Sequence, residues 1–300
     1  MLSDEQVVER FVQLRQHQRD GKRSPHKPLL VLSALGRLTH NGASTLRFSE
    51  LEAHLSSLIT NFGPPSSAGR APSAAYPFTR LRSDGVWQLT HDVPMDNVGP
   101  LRTLDVAGGF TPDIEAALRA SPGLVNRLAR MLVDSQFPET LADDVLAQAG
   151  LDPEQVLRSH DLPESGGPVR TRSRAWVIET LISWDRACAF CGYDGQLGDS
   201  LVGIEAAHVR WFNLGGPDAA NNGLALCSLH HKLFDRGALG IDVTHRVKVS
   251  GLFTGRTTAA RSVYELHGVE LRPRPGATLP AEEYVNWHNR EVFKGRPLSA

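Results

Sequence analysis

The chain has few cysteines, no long apolar run and almost no net charge. Three cysteines in 300 residues is an odd count, which argues against a framework of disulfides. No apolar run approaches the roughly 18–20 residues of a membrane-spanning helix, so an integral membrane protein is excluded. The first residues lack the basic and apolar segments of a signal peptide. We therefore expect a reduced, cytoplasmic setting.

Size and composition indicate a globular protein of two domains. Three hundred residues exceed the usual length of one domain, and 41% hydrophobic with 22% charged residues excludes a wholly disordered chain. The net charge of −1 conceals a net +8 over residues 10–82 and a net −9 over residues 84–164. We therefore expect the basic segment to offer a surface to phosphate, with the acidic segment turned elsewhere.

Helix-start signals recur through the first part of the chain. Ser3 and Gln6 have the spacing of a capping box before an apolar stripe of helical period. Pro28 is placed to be the first residue of a nearly all-apolar helix. Ser49 and Glu52 have the same capping spacing as Ser3 and Gln6. These signals predict a mostly helical first half.

A small sheet is predicted beside these helices. The extended runs Tyr76–Leu81 and Val86–Leu89 flank Asp84-Gly85, a dipeptide typical of hairpin turns. Two or three more helices are expected between residues 112 and 157. The fold class is therefore predicted to be α+β, with a mostly helical first domain that holds a small β-hairpin or sheet.

The domain boundary is predicted from composition. Residues 161–173 contain prolines, a glycine pair and mixed charge, which is typical of a linker. The prediction is a first domain over residues 1–160 and a second over residues 174–300. A helix is expected to open the second domain, with Trp176 and its apolar neighbours available for packing.

All three cysteines belong to one metal-ligand pattern. Cys188 and Cys191 form a C-x2-C pair, and Cys227 and His230 form a C-x2-H pair 36 residues later. Each short spacing lets one turn present two ligands, which suits tetrahedral zinc. Four protein ligands leave no open position, so this zinc is predicted to be structural. The alternative is three buried cysteines and an unrelated histidine.

Between and beside these pairs lie the sequences EAAHV, NGLALC and HHKLFD, which contain His208, Asn222 and His231. Over residues 184–242 this order resembles the HNH nucleases of the ββα-metal class, close to the McrA-like branch. The resemblance implies a C-terminal ββα-metal domain that hydrolyses phosphodiester bonds in DNA. It also implies a catalytic divalent ion, Mg²⁺ or another such as Mn²⁺.

The resemblance gives each motif residue a role. A positioned histidine can deprotonate water near neutral pH, and His208 matches this general base. His231 matches the ligand of the catalytic ion, while its neighbour His230 faces zinc. Asn222 matches the residue that orients the base or its neighbours. The family often has an acidic metal ligand at the position of Ala207, so Glu205 is a candidate substitute.

The first half carries a second, more scattered resemblance. The blocks HKPLLVLSALGRL, FGPP, YPFTRLRSDGVWQL and GGF, within about residues 20–160, look like the sulfur-binding domain of enzymes that attack phosphorothioate-modified DNA. Joined to an HNH domain, this is the architecture of phosphorothioation-dependent type IV restriction endonucleases. The implied partner is double-stranded DNA with a phosphorothioate, cleaved near the modification.

Residue roles for the reader follow from that resemblance. Tyr76 and Pro77 match the pair that lines the sulfur pocket. An apolar dent favours sulfur because burying a phosphate oxygen without donors costs free energy. Basic side chains for the flanking phosphates and bases are expected at five positions: Arg23, His26, Lys27, Arg80 and Arg102.

Two alternatives use the same residues differently. The first is an HNH nuclease that reads methylated or unmodified DNA, although no base-flipping pocket is recognisable. The second is a non-catalytic zinc protein that binds DNA, which would need none of His208, Asn222 and His231. A nuclease with one centre needs a second copy, as in a homodimer, or a second event to cut both strands.

Overall fold

A computed structural model of the protein describes residues 2–15, 24–65, 73–158 and 173–299. The chain forms two compact units, Met1–Gly167 and Pro168–Ala300. Of the predicted linker, only Ser173 lies within the described residues. None of the helices in the described ranges has the length and hydropathy required to span a bilayer.

The N-terminal unit is mostly helical and holds one three-stranded antiparallel sheet. Its helices are α1 (Asp4–Val12), α2 (His26–Asn41), α3 (Phe48–Phe62), α4 (Ala75–Arg80), α5 (Val98–Thr103), α6 (Pro112–Ala120), α7 (Pro122–Gln136), α8 (Glu139–Gln148) and α9 (Pro153–Arg158). Its strands are β1 (Leu46–Arg47), β2 (Trp87–Leu89) and β3 (Ala107–Phe110), in the order β1-β3-β2. The fold class predicted for this half is confirmed.

Helix α2 is the centre of this unit. Most of its side chains are buried, and it packs against α3, α4 and α7. Gly36 allows the chain after α8 to approach closely, because a Cβ there would lie 2.3 Å from the carbonyl oxygen of Ala149. Gly42, in the left-handed region at φ 70°, ends the helix.

The helix-start signals were correct in part. Ser3 and Gln6 form the predicted reciprocal capping box. Pro28 lies in the first turn of α2, two residues after its start, where a missing N–H costs little. The predicted cap at Ser49 is wrong, because Ser49 lies inside α3 and donates its hydroxyl to Asp105. Four helices, α6–α9, occupy the region where two or three were predicted.

The predicted hairpin is also wrong. Its first run is helix α4 followed by a short 3₁₀ helix (Leu81–Asp84), and Gly85 at φ 72° ends that helix. Pro77 is tolerated because it falls in the first turn of α4. The second run does form β2, but its partner is β3, with Trp87 opposite Phe110. Aromatic residues between turn signals fit a strand or a buried helix, and packing selected the helix.

From the sequence we expected the acidic segment to turn away from the basic segment, but it does not. Several of their side chains pair with each other: Arg10–Asp113, Arg15–Asp84, Lys27–Asp84, Arg47–Asp105, Arg80–Asp96 and Arg82–Asp92. The chain after residue 84 folds back onto the early helices, so much of the positive charge is compensated within the unit.

The C-terminal unit is built around a β-hairpin and a helix. Its helices are α10 (Arg174–Ser183), α11 (Ser228–Asp235), α12 (Thr258–Arg261) and α13 (Glu282–Glu291). Its strands form three two-stranded sheets: β4 (Gln196–Leu197) with β5 (Ser200–Leu201), β6 (Ile204–His208) with β7 (Gly223–Cys227), and β8 (Leu239–Ile241) with β9 (Val247–Val249). Both α10 and α11 pack against the β6–β7 hairpin, and the buried core includes Leu224, Phe234 and Val285. This is the predicted ββα arrangement.

Candidate functional site

The four predicted zinc ligands lie together. Among the described residues, Cys188, Cys191, Cys227 and His230 form a group whose ligand atoms are all within 4.8 Å of one another. Nδ1 of His230 is 3.4 Å from Sγ of Cys188 and 3.3 Å from Sγ of Cys227. Sulfur and nitrogen ligands of one tetrahedral zinc are about 3.5 Å apart. The donor set and its spacing therefore fit a zinc ion.

Local backbone geometry presents these ligands in pairs. The N–H of Gly192 donates to the carbonyl of Cys188, which closes the turn that holds Cys188 and Cys191. Cys227 ends β7, and His230 follows in the first turn of α11. The strand, the helix and the turn are thus joined at one point by the ligand set.

The three thiols differ in acidity. Burial raises the pKa of Cys191 to about 12 and also raises that of Cys227. Burial acts in the same direction on Cys188, but hydrogen bonds from His230 and nearby backbone groups outweigh it and bring the pKa to about 6. Three crowded thiolates repel one another, so all three would ionise together only around a bound cation.

His208 is the last residue of β6 and its side chain is buried. Its Nε2 atom lies 2.8 Å from Oδ1 of Asp218. The indole of Trp176, from α10, stacks on the imidazole with ring centroids 3.8 Å apart and an interplanar angle of 15°. The imidazole is therefore held at its Nε2 edge by Asp218 and on one face by Trp176.

Asn222 is fully buried and secures the loop that follows His208. Its Oδ1 accepts the N–H of Arg210, and its Nδ2 donates to the carbonyls of Arg210 and Pro217. The loop needs a glycine at position 216, because a Cβ there would lie 1.8 Å from the carbonyl oxygen of Arg210. The amide thus fixes the backbone beside the histidine.

His231 contacts different partners from its neighbour His230. Its Nδ1 lies 2.7 Å from Oε2 of Glu205, and its Nε2 lies 3.3 Å from Oδ2 of Asp235. Asp235 is buried, and its Oδ1 accepts the indole N–H of Trp211 at 2.8 Å. Glu205 and the position of Ala207 share one face of β6, since side chains alternate along a strand. The carboxylate of Glu205 therefore reaches His231 from a position two residues before Ala207, where the family pattern has its acidic ligand.

Asp218, Asp235 and Trp176 were not assigned chemical roles from the sequence. Asp235 follows His231 by four residues on one helix, a spacing that places side chains together and could have revealed it. Asp218 follows a Gly-Gly-Pro turn, and nothing in its spacing points to His208. Trp176 lies far from the motif in sequence and was expected only to pack.

In the N-terminal unit, three of the predicted contact residues lie together. The rings of His26 and Tyr76 are in edge-to-face contact, with centroids 5.9 Å apart. The guanidinium of Arg80 lies 4.9 Å from the centre of the Tyr76 ring and forms a bidentate pair with Asp96, from Nε to Oδ1 and from Nη2 to Oδ2. Partial burial raises the pKa of Tyr76 and keeps its hydroxyl neutral. Pro77 is buried and presents little surface.

The other predicted basic contacts have other surroundings. Lys27 is buried and pairs with Asp84, so its ammonium group serves the interior of the unit. Arg102 is exposed and forms a bidentate pair with Glu52. Arg23 lies outside the described residues.

A hairpin and helix that carry two histidines and an asparagine, next to a four-ligand metal set, define an endonuclease domain of the HNH class. Residues 188–242 match the HNH endonuclease family. Residues 4–154, half of the chain, match the ScoMcrA-like DNA sulfur-binding domain. The chain therefore belongs to the ScoMcrA-like DNA sulfur-binding domain family and carries an HNH endonuclease domain after it.

Solved structures with similarity to parts of the chain were also found. The sulfur-binding domain of SprMcrA complexed with phosphorothioated DNA is 21% identical, with a TM-score of 0.41, and the match covers 50% of this chain and 95% of that one. The corresponding ScoMcrA complex is 19% identical, with a TM-score of 0.39 and coverages of 48% and 97%. The match to the whole type IV phosphorothioation-dependent endonuclease ScoMcrA (19% identity, TM-score 0.40) covers 56% of this chain and only 32% of that chain. The comparison with curated proteins gives no match.

Proposed function

We propose that this protein binds double-stranded DNA that carries a phosphorothioate and cuts phosphodiester bonds near the modification. The observation that carries the proposal is the joining, in one chain, of a DNA sulfur-binding unit to an HNH unit. The first unit selects the DNA and the second hydrolyses it. The biological consequence would be restriction of modified foreign DNA.

For hydrolysis, His208 takes a proton from the attacking water as general base. A histidine suits this task because its pKa lies near neutral pH. Asn222 holds the loop after His208 and so keeps the base in place. His230 and the three cysteines would hold a structural zinc, which would tie β7 and α11 to the turn that carries Cys188 and Cys191.

The donor pair at Glu205 and His231 fits a second divalent cation. Two ligands on one octahedral ion lie about 3 Å apart, and Oε2 of Glu205 is 2.7 Å from Nδ1 of His231. A carboxylate oxygen with one imidazole suits Mg²⁺ or Mn²⁺ better than a thiolate set does. When bound, such an ion would neutralise charge on the phosphate and the leaving oxygen.

For reading, we assign the sulfur contact to the Tyr76 ring, with Pro77 behind it, and the phosphate contacts to Arg80, Arg102 and His26. Arg23 and Lys27 remain predictions, and the burial of Lys27 makes it the weaker of the two. The carboxylates that pair with Arg80 and Arg102 compete with DNA phosphates for the two guanidinium groups. This competition lowers the affinity for modified and unmodified DNA alike, so the preference for sulfur has to come from the apolar contact.

A plasmid assay tests the proposed function. We expect metal-dependent nicking of a phosphorothioate-containing plasmid, and much slower nicking of the same plasmid without sulfur. Gel analysis of both plasmids with Mg²⁺, with Mn²⁺ and with a chelator measures this. Equal cutting of both plasmids would indicate a nuclease with another reader. Binding without any cutting would indicate a non-catalytic zinc protein.

Substitutions at Arg80 and Tyr76 should separate affinity from preference. Arg80→Ala should weaken binding to modified and unmodified duplexes alike and lower the salt slope by about 1, because it removes a phosphate contact. Tyr76→Asn should chiefly reduce the preference for sulfur, by about tenfold to a hundredfold, because a polar wall favours oxygen. The measurement is a pair of affinities on duplexes that differ by one sulfur.

Arg119→Ala is the matched control, since Arg119 is an exposed arginine that pairs with Glu115 elsewhere on the unit. It should change neither affinity nor preference appreciably. Full sulfur preference in Tyr76→Asn would show that the pocket lies elsewhere.

A further inference from the structure

Two side chains outside the HNH motif determine how His208 is held. Oδ1 of Asp218 lies 2.8 Å from Nε2 of His208, and the Trp176 indole covers the imidazole face. The His208 side chain is 3% exposed and that of Asp218 is 18% exposed. The contact is therefore largely shielded from water. In such a shielded place a carboxylate orients a neighbouring group more strongly than it does at the protein surface.

We propose that Asp218 and Trp176 are positioning residues for His208: Asp218 sets the tautomer of the imidazole and Trp176 sets its plane. The proposal rests on the proposed function, in which His208 is the general base. An ionised carboxylate can only accept a hydrogen bond, so Nε2 must carry the proton and Nδ1 the lone pair. The lone pair on Nδ1 is then the one that accepts the proton from water.

Asp218 is itself fixed from two directions. Its Oδ2 accepts the N–H of Ser173 at 2.7 Å, and Ser173 caps the N-terminus of α10 through Trp176. The positive end of the helix dipole favours a carboxylate at this place. The Trp176 indole N–H in turn donates to the carbonyl of Ala219 at 3.0 Å. The start of α10 and the loop around Asp218 are therefore joined by two hydrogen bonds.

Asn222 supports the same arrangement from the other side of the loop. Its Nδ2 donates to the carbonyl of Pro217, and its backbone N–H donates to the carbonyl of Ala219. These bonds fix the residues on both sides of Asp218. Asn222 thus acts on His208 through the loop that carries Asp218. Without these two hydrogen bonds the carboxylate would hold the imidazole less rigidly.

The test is Asp218→Asn in the full-length, zinc-loaded protein. An asparagine can present its amide N–H to Nε2, which favours the opposite tautomer. We expect the single-turnover cleavage rate to fall about 10²–10⁴-fold, by analogy with His–Asp pairs in other hydrolases. Affinity for modified DNA, zinc content and Tm should stay at their wild-type values. Asp218→Glu should recover part of the rate.

The direct readout is the ¹⁵N spectrum of the imidazole, with His208 identified by its loss in His208→Ala. Well above the ordinary histidine pKa of about 6.5, the wild type should show the Nε2–H form, and Asp218→Asn should shift toward Nδ1–H. Trp176→Phe should retain most of the rate and Trp176→Leu should lose it, because a ring is needed for stacking. Asp194→Asn, a change at an exposed acid of the same unit, is the matched control and should change neither measurement.

The outcomes separate this inference from the proposed function. Equal cutting of modified and unmodified plasmid by the wild type would overturn the proposed function. Wild-type cleavage by His208→Ala would remove His208 as the general base, and this inference with it. Loss of cleavage in His208→Ala, together with an unchanged rate and an unchanged tautomer in Asp218→Asn, would overturn the assignment of Asp218 alone. Equal rates in Trp176→Phe and Trp176→Leu would overturn the role of Trp176.

Discussion

Cleavage should be abolished by His208→Ala while DNA binding remains intact. A general base contributes roughly 10²–10⁴-fold to the rate and little to affinity, because it acts on the attacking water. Removal of the imidazole takes away one of two hydrogen-bond partners of the Asp218 carboxylate, which keeps the N–H of Ser173, and uncovers one face of Trp176. Single-turnover rates and affinities on one phosphorothioate duplex measure the two effects.

His54→Ala is a suitable control, because His54 is an exposed histidine on α3 of the other unit. It should cut at the wild-type rate. Near wild-type cleavage by His208→Ala, with zinc and fold intact, would exclude His208 as the base.

Loss of one zinc ligand is expected to unfold the C-terminal unit. In Cys191→Ala, three ligands remain. Cys191 is an exposed residue whose thiol lies among the metal ligands and outside the apolar core, so the substitution leaves no cavity in that core. Any unfolding of this variant must then result from loss of the bound metal. Apparent zinc-binding free energies of about 10–16 kcal/mol rival the whole stability of a domain, about 5–15 kcal/mol. Zinc content by mass spectrometry and thermal unfolding of the purified protein test this.

Cys191→His provides the comparison, since an imidazole nitrogen can replace a thiolate at tetrahedral zinc. We expect it to keep one zinc per chain and a transition closer to that of the wild type. The structural role of the metal would be refuted by a Cys191→Ala protein that unfolds and cuts like the wild type without bound zinc.

The contacts that were predicted best from the sequence are those between residues only a few positions apart in the chain. Cys188 with Cys191, and Cys227 with His230, each fall within one turn, so a local pattern was sufficient. The capping box at Ser3 formed for the same reason. The pattern of apolar and turn residues over Tyr76–Leu81 did not predict the secondary structure correctly, because the same residues fit a strand and a short buried helix. Packing of this segment against α2 favoured the helix.

Charge was another property that the sequence could not resolve. Runs of one sign along the chain were expected to become separate surfaces. In the folded unit, the chain returns on itself and carboxylates meet guanidinium groups, as Asp96 does with Arg80 and Glu52 with Arg102. Coulomb attraction acts over a few ångströms in space and is indifferent to separation along the chain.

The sequence by itself determined the mostly helical first half, the ββα unit and the grouping of three cysteines and a histidine, and it supplied the HNH residues that we propose for catalysis. These depend on local periodicity and on residue types at fixed spacing. Only the tertiary structure decided that Asp218 meets His208, that Trp176 covers it, and that Glu205 and Asp235 flank His231. Such contacts depend on how a loop and two helices pack around one hairpin. Their energies depend on distance and burial, which spacing along the chain does not specify.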